Sequence, residues 1–366
     1  MKIGILVYRM CGIGGTERIT AEKINAWIEM FGYEVVLITK NEIDLPAFYH
    51  VNEKCKRYNL NIQTKLSGGI SQYIKNIPKG LELYKQVKNI LEAENIDVLF
   101  TNMISIDSLV IPFVKTKIPK ISEIHRSNYL YNKKGWLFKN PIISKYDKVV
   151  LLNKEEKNYY NLKNLAVIPN FIDDDEFNNS QTIKKNIIIS AGRIVVEKQF
   201  DHLVDIWFRL SSENPNWEVH IYGDGHSEKL NKKIKELGLE TSFKIFPATS
   251  EIKSKMQEAK IFVLVSKSEA FPMVLLEAMQ AKLPIVSYDS PHGPRNIVSN
   301  EKDGFIVALN DKSAFAEKLN LLINDATLIE KFVENQKSKL ELFSKKRVMN
   351  QWNDLVLALL QKKTTF

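Results

Sequence analysis

Short apolar runs alternate with longer amphipathic stretches over most of the chain. Runs at 2–7, 34–39, 98–101, 149–152 and 165–168 are short and predominantly apolar, and 120–123 is a further short strand candidate. Such runs suit strands buried on both faces. Residues 17–31 and 81–93 repeat apolar positions at helical spacing, and Gly32 follows the first of them as a stop. Residues 41–66 carry no clear period. The alternation resumes with strands at 186–190, 217–221, 243–246, 261–265 and 284–288. Helices are expected between them at 201–210, 229–237, 252–259 and 272–281. Strand–helix alternation of this kind predicts a parallel, doubly wound α/β architecture.

Residues 169–185, PNFIDDDEFNNSQTIKK, interrupt the alternation with a proline and a polar, acidic run. They are expected to link two Rossmann-like domains, 1–168 and 186–343. The tail 344–366 places Val348, Trp352, Leu355, Val356 and Leu359 at helical spacing.

The chemistry concentrates in 261–296, IFVLVSKSEAFPMVLLEAMQAKLPIVSYDSPHGPRN. A buried strand leads through a short loop into a helix opening near Pro272, and a second strand follows. The first-turn N–H groups of such a helix form an anion site at the strand's carboxyl end. Glu269 lies in the loop and Glu277 in the helix, about 7.5 Å beyond Pro272 at 1.5 Å per residue. Carboxylates accept hydrogen bonds from paired sugar hydroxyls. The spacing therefore suits one ligand, with a diphosphate at the helix tip and a sugar at each end. On residue type alone, a loop cap and a solvated helix charge explain the two glutamates equally well.

Two glutamates separated by seven residues, then Ala-Met and a Pro-led strand, resemble the donor signature of family-four retaining glycosyltransferases. Here the signature reads Glu269-AFPMVLL-Glu277-AMQAKLP. The resemblance implies the GT-B architecture, two Rossmann-like domains facing across a cleft, with the tail helix crossing back to brace the first. It implies that Glu269 contacts the donor sugar and Glu277 the ribose. The amides around Phe271, Pro272, Met273 and Val274 would take the diphosphate. Ala270 and Pro272 depart from the family's glycines, and Pro272 removes one N–H donor.

Three further motifs gain meaning beside it. Arg193 and Lys198 follow the first strand of the second half, and a guanidinium fork and an ammonium can converge on one anion. The resemblance assigns both to the donor phosphates. Gly12-Ile13-Gly14-Gly15-Thr16-Glu17 follows the first strand. It fails as a dinucleotide fingerprint, with Glu17 at the third glycine position and no acid ending the second strand. The resemblance makes Gly14 and Gly15 a loop facing the donor phosphates. His125 follows 120–123, where the family keeps a histidine reaching the sugar. In Gly293-Pro294-Arg295-Asn296 the family often has an acid in place of Asn296.

The net charge is +9, and all the excess lies in residues 1–170. A basic half suits an anionic surface, lipid or nucleic acid, although lysine-rich codon usage produces the same bias. Residues 126–148 interleave basic residues with Tyr129, Tyr131, Trp136, Phe138 and Tyr146. That mixture suits a membrane interface or a lipid-linked acceptor, stacking on single-stranded nucleic acid, or a solvated loop with packing aromatics, and the resemblance favours the first. No run is long enough to span a bilayer. Cys11 and Cys55 lack metal-ligand spacing. Asp173, Asp174 and Asp175 fall in the expected linker, so no metal site is assigned.

The expected activity is metal-independent, retaining transfer of a hexosyl unit from a nucleoside-diphosphate sugar, UDP-linked by preference. The acceptor is a glycan or lipid-linked oligosaccharide. No cofactor and no nucleic acid is expected. The expected location is cytoplasmic, peripheral on the membrane. The rivals are a sugar-nucleotide epimerase on the same architecture and a non-catalytic nucleic-acid-binding protein using the basic half.

Overall fold

Two parallel sheets organise the protein, seen in a computed structural model that describes residues 1–12, 14–42, 45–63, 76–102, 110–125, 140–173 and 183–364. The chain divides into two units, one comprising 1–171 with 345–366, the other 172–344.

The first unit holds seven strands: β1 Lys2–Val7, β2 Glu34–Thr39, β3 Lys56–Asn59, β4 Val98–Asn102, β5 Lys120–Ile124, β6 Lys148–Leu151 and β7 Leu165–Val167. Their order is β3-β2-β1-β4-β5-β6-β7, with all pairs parallel. Central β1 pairs Ile5 with Leu37 on one side and with Phe100 on the other. Helix α1, Gly15–Phe31, ends where Gly32 adopts a left-handed conformation and its N–H reaches Ile28 O. Helix α2, Ile77–Ala93, begins one turn earlier than the spacing predicts, with Pro78 in its first turn.

Strand β3 falls in the stretch without a period. It is an edge strand, mostly exposed, so its sequence KRYN carries no apolar run.

The second unit orders its six strands β10-β9-β8-β11-β12-β13, again all parallel. They are β8 Ile187–Ala191, β9 Glu218–Tyr222, β10 Phe243–Phe246, β11 Ile261–Leu264, β12 Ile285–Tyr288 and β13 Phe305–Val307. Helices α3 Phe200–Leu210, α4 Glu228–Glu236, α5 Ile252–Glu258 and α6 Met273–Gln280 connect them. Past β13 come α7 Lys312–Asn324 and α8 Ala326–Leu342, which the sequence reading leaves unnamed. Their start signals are nevertheless plain. Asp311 and Asp325 accept hydrogen bonds from Ala314 N–H and Leu328 N–H, both at 2.9 Å.

The expected linker is partly absorbed. Ile172 N–H donates to Phe343 O at 2.9 Å, and Asp173 O accepts from Gln280 Nε2 at 2.6 Å. Residues 172 and 173 therefore belong to the second unit, while 174–182 lie outside the described residues.

The last helix, α9 Lys345–Thr364, belongs to the first unit. Val348, Met349, Trp352, Val356 and Leu359 share a core with Ile5, Trp27 and Phe100. Trp352 meets the Phe100 ring edge-on at 5.6 Å.

Candidate active site

In an open α/β sheet, ligands gather at the carboxyl ends of the strands where the strand order reverses. In the second unit that point lies between β8 and β11. The loop after β8 carries Arg193 and Lys198. The loop after β11 carries Glu269 and leads into α6. Topology alone thus places the charged motifs side by side.

Backbone hydrogen bonds fix these loops against one another. Gly192 N–H donates to Tyr222 O at 3.0 Å, and Ile194 N–H to Asp224 O at 2.8 Å. Lys267 N–H donates to Glu197 O at 2.8 Å, tying the loop after β11 to the loop after β8. Two glycines permit the close approaches. A β-carbon on Gly223 would collide with the Gly192 carbonyl, and one on Gly293 would stand 2.6 Å from Glu269 Cβ.

Within this frame Lys198 Nζ lies 2.6 Å from Glu269 Oε1, and the two side chains are 21% and 14% exposed. The phosphate cation and the sugar carboxylate of the sequence reading form an ion pair, a contact that spacing alone does not reveal. Arg193 is exposed. Pro272 caps α6 from outside instead of opening it, so Met273 is the first helical residue and Val274 the second. Phe271 is buried against Phe343. Glu277 is only 6% exposed. The solvated-charge reading of Glu277 is therefore wrong, because burying a carboxylate is expensive unless partners meet it.

The neighbouring turns are structural as well. Asp224 Oδ1 accepts from Ala248 N–H at 2.9 Å. Arg295 forks onto Asp289, and Asn296 Nδ2 donates to His292 O at 3.1 Å. Asn296 thus holds its own loop at the position where an acid was expected.

Gly14, Gly15 and His125 belong to the first unit. Gly14 caps α1 and Gly15 opens it. The Glu17 side chain folds back over the loop, so that a β-carbon on Gly12 would stand 2.6 Å from its Oε1. A carboxylate there opposes a phosphate, which weighs against the phosphate role expected of this loop.

His125 directly follows β5. Its Nε2 lies 3.3 Å from Glu123 Oε2, and Lys23 Nζ donates to Glu123 Oε1 at 2.7 Å. The sequence reading passed over Lys23 and Glu123. The signal was a lysine on the apolar face of α1, whereas Glu123 sits in KISEI, where its polar neighbours give no such sign. Of the basic aromatic stretch, residues 126–139 lie outside the described residues.

Residues 172–339 match the model of the family described as glycosyl transferases group 1. The match covers the second unit. It is 27% identical over 368 residues to an "Uncharacterized glycosyltransferase" of Haemophilus influenzae, covering 97% of this chain and 99% of the relative. It is 24% identical over 364 residues to a Campylobacter jejuni protein, covering 97% and 98%. That protein is the "GalNAc-alpha-(1->4)-GalNAc-alpha-(1->3)-diNAcBac-PP-undecaprenol alpha-1,4-N-acetyl-D-galactosaminyltransferase". Among solved structures, HepE of Anabaena in complex with UDP superposes with a TM-score of 0.79 at 16% identity, covering 98% of this chain and 100% of that one. The fold is GT-B.

Proposed function

We propose that the protein is a retaining glycosyltransferase that moves a hexose or N-acetylhexosamine from a UDP-sugar to a hydroxyl of a glycan or lipid-linked oligosaccharide. The observation that carries this reading is the Lys198–Glu269 pair at the carboxyl ends of the switch strands, beside the amino end of α6. Arg193 and Lys198 offer charge to a departing diphosphate, and each charge-assisted hydrogen bond contributes about 1.5–3 kcal/mol. The amides of Met273 and Val274 add the positive end of a helix. That set meets the developing charge with protein groups alone.

Before donor binds, Lys198 and Glu269 neutralise each other. A diphosphate competes for Lys198 and releases Glu269 to accept from the donor sugar's hydroxyls. Glu277 then accepts from the ribose. Among the residues assigned to the site, none is a separate carboxylate nucleophile, and front-side displacement assisted by the donor phosphate is the mechanism we adopt. The UDP preference and the lipid-linked acceptor draw support from the UDP complex of HepE and from the acceptor in the Campylobacter relative's name.

Nucleotide release across a panel of UDP-, GDP- and ADP-sugars tests the reading, with and without an undecaprenyl-diphosphate oligosaccharide. UDP release that rises with the acceptor is expected. Acceptor-independent turnover of a UDP-sugar would point to an epimerase instead. Oligonucleotide binding with a steep salt dependence and no turnover would point to the nucleic-acid reading. Glu277→Ala should weaken donor binding about tenfold while leaving saturated turnover within about threefold, because ribose contacts act equally on ground and transition states.

A peripheral membrane position also belongs to the reading. On the first unit, Ile77, Leu81 and Phe113 are 54%, 61% and 49% exposed. Lys115 N–H donates to Tyr84 Oη, and Lys145 Nζ lies over the Phe113 ring, joining α2 to this surface. Exposed apolar side chains among lysines suit an anionic bilayer. No helix among the described residues is long and apolar enough to cross a membrane. Flotation with phosphatidylglycerol vesicles should carry the protein upward at low salt and lose it at high salt. Leu81→Asp/Phe113→Asp should abolish flotation without changing turnover of a soluble acceptor.

A further inference from the structure

The first unit contains an ionic group that the proposed chemistry does not yet use. Lys23 is 4% exposed and Glu123 is 4% exposed, although both are charged residue types. They come from different elements, α1 and β5, and are separated by one hundred positions in the chain. The Lys23 ammonium also sits over the Trp352 ring of α9, 3.6 Å from its centroid. Burial pulls the Lys23 ammonium below its usual range. Burial pushes the Glu123 carboxyl up, but Lys23 and His125 outweigh it and hold the carboxyl well below the usual carboxylate range.

A buried ion pair is a poor way to stabilise a core, since apolar residues of similar volume often do as well or better. Its retention here calls for another role, and its second oxygen supplies one. Glu123 Oε1 takes the lysine, and Oε2 faces His125 Nε2 at 3.3 Å. Both the His125 and Glu123 side chains are 6% exposed.

We infer that Glu123, anchored by Lys23, is the positioning residue that fixes the ring orientation and tautomer of His125. The inference rests on the role that the resemblance implies for His125, reaching the donor sugar. At 3.3 Å the contact is ionic and completes no hydrogen bond in this structure; because a carboxylate only accepts, a ring nitrogen held against it would carry the hydrogen. Nε2 is then the protonated nitrogen of the neutral ring, and Nδ1 keeps its lone pair. A lone pair at Nδ1 accepts from a sugar hydroxyl. Lys23 is essential to this arrangement, because it keeps Glu123 ionised in a buried place and holds its second oxygen toward the histidine. Among the described residues, Glu123 of its own strand faces the ring, and Lys23 of α1 holds that carboxylate from beneath the Trp352 ring of α9.

The direct test reads the tautomer without substrate. Long-range nitrogen–proton NMR on the ring-labelled full chain should show His125 protonated at Nε2 in the neutral form. An Nδ1-protonated ring would overturn the inference. The second measurement is kinetic, on Glu123→Gln and on the double variant Lys23→Met/Glu123→Gln. The double variant removes both charges and so avoids leaving one buried and unpaired. Both variants should lose about 10- to 100-fold in kcat, a range set by the sensitivity of rate to small misplacements. Donor KM should move less than about threefold, and the double variant should melt within a few degrees of the parent. A double variant that folds and keeps parental kcat would reduce the pair to a structural one and overturn the inference. Should the parent release no nucleotide from any sugar donor, the proposed activity fails, and the NMR result still decides the tautomer.

Discussion

Arg193→Ala is expected to lower turnover of the proposed nucleotide-sugar donor by at least about tenfold, equivalent to about 1.4 kcal/mol of transition-state stabilisation. The arginine is exposed on the loop after β8, so its removal leaves no buried partner behind. Stability should change by less than about 0.5 kcal/mol, the usual range for a surface position. The effect is therefore readable as chemistry. Charge builds on the diphosphate as the sugar departs, so the guanidinium contributes more to the transition state than to the bound donor. Steady-state kinetics with saturating donor should show the loss in kcat. A normal kcat would remove Arg193 from the leaving-group role. Lys198→Ala should differ in kind. It strips Glu269 of its 2.6 Å partner, so the loss should include weaker donor binding as well as slower turnover.

Gly223→Ala has the largest expected effect on stability. The added methyl would overlap the Gly192 carbonyl oxygen and stand 2.9 Å from its carbonyl carbon, and both of those atoms belong to backbone. Neither neighbour can yield by rotating a side chain. The ends of β8 and β9 must separate, breaking the Gly192 N–H to Tyr222 O bond at 3.0 Å that starts the Arg193 loop. Overpacking of this kind costs about 3 kcal/mol. Donor affinity should fall more than tenfold, because the same displacement moves Arg193 and Lys198. Gly15→Ala makes a contrast in stability, since nothing stands within 4 Å of its added carbon and alanine favours the helix it opens. Thermal melts of the two variants decide the matter. A Gly223→Ala protein melting with the parent would contradict the packing described for these loops.

The sheets were legible wherever strands are covered on both faces. β1, β4, β8 and β11 announce themselves because burial on both faces makes them predominantly apolar. β3 was illegible for the opposite reason, since an exposed edge strand is free to read KRYN. The helices past β13 were missed although Asp311 and Asp325 mark their starts, because attention to apolar period overlooks caps. For the site, the glutamate spacing marked Glu269 and Glu277, and the motif after β8 marked Arg193 and Lys198. What the spacing could not convey is that Lys198 and Glu269, seventy-one positions apart, pair directly. Long-range juxtaposition depends on strand order, which one-dimensional pattern does not carry. The same limit hid Lys23 and Glu123, each of which looked like an ordinary charge in its own element.

The placement of α9 has a consequence for how the molecule comes into being. Its Val348, Met349, Trp352, Val356 and Leu359 complete a core whose other buried members are translated before residue 172. The second unit is continuous in sequence and can close as soon as it leaves the ribosome. The first must wait, its face beside Trp27 and Phe100 uncovered, until the whole intervening unit has been made. That interval is when a chaperone has most to protect, and substitutions at Trp352 should show themselves in yield before they show themselves in rate.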